Sequence, residues 1–262
     1  MDVEAVAFCV LILSERARRT SGLILNELKG SKRGRHMRLI HLCALVAVTG
    51  AMLPAQEETP DKRLRHATDV LHEIMATPDK AIPRDLLNRA QCIVIVPEMK
   101  KAAFVVGGEY GRGYALCRRD GRWGAPAPIR LAGGSFGVQL GADSTDIVML
   151  AMNEKGMQHL LSDKFKIGAD ATAAAGPVGR DATASTDVLM HAEMLSWSRS
   201  RGLFAGAALD GTVVEHDGAE TEKLYGHPMN NHDILAGRVR IPEAANVLVR
   251  EMDIIAPGGK SN

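Results

Sequence analysis

The sequence predicts an α+β fold: a mostly antiparallel, Gly-rich curved β-sheet, sandwich or barrel-like, flanked by N- and C-terminal helices. Three observations predict it. Helical periodicity dominates both ends of the region after residue 56, while short β-type runs separated by turn residues crowd the middle. Glycine recurs inside those runs, where it bends a strand or lets another backbone approach.

The elements follow in order. After a polar linker at 56–58, "TPDKRLRHATDVLHEIM" reads as a helix with Thr59 as cap and Pro60 in the first turn. Leu64, Ala67, Leu71, Ile74 and Met75 share one face, with Arg63, Arg65, His66 and His72 off it. A Pro-broken turn leads to a short helix near 84–89. "CIVIVP" is a continuous apolar run, the pattern of a strand buried on both faces. "KAAFVVGGEYGRGYALCRRDGRWGAP" contains two strands and a turn at Asp120 and Gly121. "IRLAGGSFGVQLGADSTDIVMLAMN" supplies two more, and a helix follows at about 154–163. A small-residue segment turns at Gly176 and Pro177. "LMHAEMLSWSRSRGLFAGAALDGTVV" reads as two strands joined at Arg201 and Gly202. A short helix is expected within 215–225, and "PEAANVLVREM" closes as a Pro-started helix.

The 262 residues carry 32 Lys+Arg against 31 Asp+Glu, so no overall field recruits nucleic acid. Residues 1–55 hold 8 cations and 4 anions, which leaves residues 56–262 at a net −3. Within the front end, "MRLIHLCALVAVTGAMLPAQ" has the cation, short apolar run and small residues of a secretory signal, with Met37 as the expected start and cleavage near Ala55. A longer n-region or a signal anchor is the other reading of residues 1–36. Residues 56–262 then form a single exported domain, periplasmic or extracellular. Cys92 and Cys117 remain in it, either as one disulfide or as two small buried apolar residues.

Enzyme chemistry finds little to build on. The glycines of "VVGGEYGRG" lie between strands, not in the strand-to-helix setting of a dinucleotide fingerprint. No G-x-S-x-G elbow occurs, the nine histidines are scattered, with His216, His227 and His232 in polar loops, and Glu109 and Glu193 are isolated. No metal site, cofactor or catalytic residue is assigned. Aromatic residues, at 4%, are too few for a single-stranded nucleic-acid platform. Cations among glycines and at strand turns are more suggestive, because a guanidinium there can approach a phosphate as a bidentate fork. The candidate head-group ligands are Arg63, Arg65, Lys100, Lys101, Arg112, Arg180, Arg199 and Arg201, with Arg118, Arg119 and Arg122 around a hairpin tip.

"SWSRSRGLFAGAALDG" places the chain beside known sequences. Its Ser196, Trp197, Ser198, Gly202, Leu203, Phe204, Ala205 and Gly206 closely resemble the Ser-aromatic-Ser-x-x-x-Gly-Leu-Phe-Ala-Gly signature of the SYLF lipid-binding domain family. Other elements of that family follow in order: Gly108, Gly111 and Gly113; Trp123 and Pro126; Gly137, Gln139 and Gly141; Gly176, Pro177, Gly179 and Arg180; and Tyr225. Trp197 stands where tyrosine is commoner. These motif residues are expected to hold the fold.

The resemblance implies a non-enzymatic module for anionic phospholipid or phosphoinositide-like head groups, with membrane contact by an N-terminal amphipathic helix. Some eukaryotic members also bind actin, which is not expected for an exported protein. The expected function is peripheral membrane docking, with loop cations on phosphates and the 59–75 helix at the interface. The alternative is a structural or protein-interaction domain of the cell envelope, in which that helix is ordinary core.

Overall fold

The run "CIVIVP" has no exposed side, and the rest of the fold is arranged to cover it. The computed structural model describes residues 58–76, 81–103, 106–136, 141–179, 192–200, 203–237 and 239–257. Among these, β1 (Cys92–Ala103) pairs antiparallel with β2 (Val106–Arg119) and with β5 (Gly141–Ala151). Ile93 and Ile95 face one side of the sheet, Cys92, Val94 and Val96 the other, and all five are fully buried.

Outward from this centre the strand order is β6-β10-β4-β2-β1-β5-β8-β7. It includes β4 (Ala127–Phe136), β6 (Lys164–Lys166), β7 (Ala173–Ala175), β8 (Met194–Ser200) and β10 (Val213–His216). Short β3 (Arg122–Trp123) adds to β2, and β9 (Leu203–Gly206) adds to β8. Every pairing is antiparallel except β7 with β8. The predicted class is therefore the observed one: α+β, with a curled half-barrel sheet. Asp120 and Gly121 form the β2–β3 turn with φ of 51° and 78°, the pair of left-handed residues that a tight hairpin needs.

Helices cover the outer face. α1 (Pro60–Met75), α2 (Arg84–Arg89) and α6 (Asn246–Ile255) place Leu64, Leu71, Leu87, Leu248 and Met252 over Ile93, Ile95, Leu116, Val148 and Trp197. Thr59 precedes α1, but only its carbonyl caps, accepting the Arg63 N–H at 3.1 Å; its side chain makes no cap hydrogen bond. The concave face closes on Val94, Val96, Ile129, Leu131, Phe165 and Val214, sealed by Leu160 of α3 (Glu154–Leu161) and by Ile234 and Leu235 of α5 (Asn231–Leu235). α4 (Gly218–Tyr225) follows β10.

One close approach explains why glycine stands at 113. A Cβ on Gly113 would overlap the Ile95 carbonyl, because β1 and β2 bend together there. Cys92 and Cys117 stand directly opposite each other on these strands, with Cα atoms 4.0 Å apart, and are joined as a disulfide. The pairing alternative left open by the sequence is thus the one adopted.

Candidate functional site

The predicted cations fall into three environments. In the first, Arg63 is 5% exposed, not on a polar helix face. Its Nη1 donates to Glu220 Oε1 at 2.5 Å, and its Nε lies 3.4 Å from Glu58. Tyr114, also buried, donates its hydroxyl to the same Glu220 oxygen at 2.9 Å. Arg112 completes the network, with Nε donating to Asp217 at 2.6 Å and Nη2 at 3.5 Å from Glu220. Burial works to raise the Asp217 carboxyl, but the Arg112 hydrogen bond, the Glu220 N–H and the Arg112 charge outweigh it and hold it below the ordinary range. Burial, then the Glu220 charge, pushes the Tyr114 hydroxyl well above its usual value.

This network corrects the interfacial expectation for α1. Burying Leu64, Val70, Leu71 and Ile74 is worth roughly 1.5–3 kcal/mol each. Turning that face to a bilayer would exchange one apolar setting for another while opening the core and stranding Glu220. The helix is core, as the alternative reading had it.

In the second environment, cations are matched by neighbouring acids. Arg65, largely exposed, is 3.8 Å from Asp61 one turn earlier. Lys101 lies 3.1 Å from Glu109, which also accepts from Thr212 at 2.9 Å. Arg199 forks onto Asp146, 2.8 Å from Nε and 2.7 Å from Nη2, and reaches Glu73 on α1. It lines a cleft of about 440 Å³ between α1 and β5, with His66, Asp69 and Glu98 among its walls. Carboxylates outnumber cations there, so the cleft does not suit an anion. Arg180, Arg201 and Gly202, with Gly137 and Gln139, lie outside the described residues.

The third environment is an open stretch of sheet. Lys100 and Lys101 are on β1, not in a turn, just past a bulge at Glu98. Strand register then sets side chains in rows on the outer face. One row runs Lys166, Val213, Ala132, Tyr110 and Lys100; the next runs Lys164, Glu215, Arg130 and Arg112. Gly108 and Gly134, both exposed, extend this floor. Leu131, Phe165 and Val214 alternate with these residues and point into the core. The face therefore gathers five cations on small residues. Arg130 and Lys164 share one acid, Glu215, at 3.5 and 3.9 Å, and Lys100 has Glu98 at 3.4 Å. Of the five, the sequence reading named Lys100 and Arg112 and missed Arg130, Lys164 and Lys166. The "KFK" alternation of β6, with lysines out and Phe165 in, was the available signal.

The family-motif residues build the framework behind these sites. Trp197 is fully buried and donates its indole N–H to the Pro177 carbonyl at 3.0 Å, while a Cβ on Gly176 would overlap its ring. Gly206 packs on the Gly176 backbone, so β7 and β9 meet end to end along one edge of β8. Ser196, also buried, donates to the Ala207 carbonyl at 2.7 Å, and Phe204 packs partly buried against the outer-face core. Trp123 donates to Ala256 at 3.0 Å beneath the Arg118 guanidinium, and Tyr225 to Pro126 at 2.7 Å. A Cβ on Gly111 would crowd Val96, Gly179 has φ 93° with its N–H on Ala81, and Gly141 opens β5. His216 lies on β10, not in a loop, and its Nδ1 is 2.7 Å from Asn231 Oδ1; His232 lies in α5. Glu193 accepts the Thr172 N–H at 3.0 Å and sits 3.4 Å from His159.

Comparison with known proteins agrees with the framework. A family model described as Ysc84, Las17-binding protein actin regulator, matches residues 132–254. Protein YSC84 of Saccharomyces cerevisiae is 32% identical over 179 residues, which is 67% of this chain and 38% of that protein. SH3 domain-containing YSC84-like protein 1 of Bos taurus is 30% identical over 203 residues, 77% of this chain and 59% of that protein. The chain thus spans less than two thirds of either relative. With the signature strands forming the β8 branch point and these matches covering most of the described residues, the chain belongs to the SYLF (Ysc84) domain family.

Proposed function

We propose that this chain is a peripheral lipid-binding module, without catalytic activity, that docks on anionic phospholipid surfaces through the open outer face of β6, β10, β4 and β2. One observation carries the reading: Arg130 and Lys164 share Glu215 at long range and Lys166 has no ion pair among the described residues, on a floor that includes glycine and alanine. The ion pairs there are exposed and long, a class worth about 0–1 kcal/mol each, so a phosphate exchanges for the carboxylate at little cost. The unmatched charges contribute roughly 1 kcal/mol apiece near an anionic surface. Because residues 56–262 net −3, attraction is local and weakens with salt. The buried Arg63 and the half-buried Arg112, held by Asp217 and Glu220, serve the fold.

Co-sedimentation with phosphatidylcholine vesicles, with and without phosphatidylglycerol, tests this. Binding is expected only to the anionic vesicles and is expected to disappear in the Lys164→Glu, Lys166→Glu double variant. Equal binding to both vesicle types, or an unaffected double variant, refutes the face.

A protein partner is the second reading, favoured by the relatives' names, which describe Las17-binding and SH3 domain-containing proteins, and by the family's description as an actin regulator. An acidic protein surface would meet the same cations. Pelleting with actin filaments but not with vesicles would select it. Export belongs to the same proposal, and the Cys92–Cys117 disulfide supports an oxidising compartment.

A further inference from the structure

We propose that Arg130, Lys164 and Lys166 form a subsite for the phosphate of an anionic phospholipid, and that Glu215 is a built-in competitor which the incoming phosphate displaces. The inference rests on the docking face described above and assigns what regulates it. Glu215 lies between Arg130 and Lys164 in one cross-strand row, and Lys166 projects from the same face two residues along β6. With strands about 4.8 Å apart and i, i+2 neighbours about 6.7 Å apart, the three Cα atoms mark a patch of roughly 7 by 10 Å. Long side chains converge within it on one small anion.

The fit of Glu215 to this patch is poor. Charge-assisted N–H···O bonds close to about 2.7–2.9 Å, yet Glu215 stands 3.5 Å from Arg130 and 3.9 Å from Lys164. Arg130 Nε is shielded from solvent and has no hydrogen-bond partner. A shielded N–H without an acceptor is costly, so Glu215 satisfies Arg130 poorly, while that side chain, 40% exposed as a whole, stays open to an incoming anion. Lys166 has no carboxylate within ion-pairing distance among the described residues. Glu215, tethered to β10, reaches two of the three cations and neither closely. A phosphodiester spreads one charge over two oxygens as Glu215 does, but it is not tethered to β10 and can settle among all three cations. Glu215 thus offsets part of the patch's charge in the absence of membrane and competes with the incoming phosphate.

Glu215→Gln keeps the shape and removes the competing charge. In the full chain, its partition onto phosphatidylcholine vesicles containing phosphatidylglycerol is expected to rise about fivefold, the equivalent of ~1 kcal/mol. Adding Arg130→Ala is expected to cancel the gain, and Lys166→Gln alone to weaken binding. Inorganic phosphate at matched ionic strength is expected to compete better than chloride. Wild-type binding with no gain in Glu215→Gln overturns the competitor role and leaves the docking face standing, as does phosphate competing no better than chloride for the subsite. Failure of both proteins to bind anionic vesicles sinks the face and the inference together.

Discussion

Replacing Glu220 by alanine should be among the most damaging single changes in the molecule. Glu220 is 1% exposed and accepts from Arg63 at 2.5 Å and Tyr114 at 2.9 Å, with Arg112 at 3.5 Å. Its loss leaves the Arg63 guanidinium buried with only Glu58, at 3.4 Å, as a counter-charge. Breaking a buried pair from one side costs about 3–5 kcal/mol, a large share of the roughly 5–15 kcal/mol a domain holds. For a domain of this size that is a fall of roughly 6–20 °C in Tm. Urea unfolding followed by circular dichroism measures it, with Arg65→Ala as the exposed-pair control expected to stay within about 0.5 kcal/mol. The double variant Arg63→Met, Glu220→Leu removes both charges and should recover most of the loss, because an apolar pair needs no counter-ion. A Glu220→Ala cost below about 1 kcal/mol, or a double variant as unstable as the single one, would refute the view that stranded charge is the cause.

Two further outcomes follow from the same structure. Asp217, held below the ordinary carboxylate range, contributes stability that is fully present above its unfolded value of about 4 and is lost as pH falls through its lower folded value. Asp217→Asn should therefore be less stable than wild type at neutral pH, with the gap closing in acid; a constant gap would assign its role to capping α4, where it accepts the Glu220 N–H at 3.1 Å. Thiol titration of the unfolded protein from its host should find no free thiol on Cys92 or Cys117, and reducing the bond should lower stability by about 2–4 kcal/mol, since it closes a 25-residue separation. Two free thiols would remove the support for an oxidising compartment.

What could be read in the chain alone was local. The α1 face repeats every three to four residues, so Leu64, Ala67, Leu71 and Ile74 declare a buried stripe without reference to anything distant. Asp120-Gly121 declares its hairpin, and "CIVIVP" its two-sided burial, for the same reason. The signature from Ser196 to Gly206 marked kinship, and its small and aromatic residues proved to be the packing of the β8 branch.

The site was legible only in part. Arg112 could be suspected as a cation between glycines and Lys100 as one at a turn, but their surroundings could not. Arg63 meets Glu220 across 157 residues, and Glu215 meets Arg130 and Lys164 through strands far apart in the chain. Such meetings depend on register, and a slip of one residue would send the whole set to the opposite face. The amino-acid order determined which segments are helix and strand and which side of each seeks the core. Tertiary structure decided which cations are consumed by acids and which remain on an open face, because charge pairing is a property of neighbours in space and periodicity a property of neighbours in sequence.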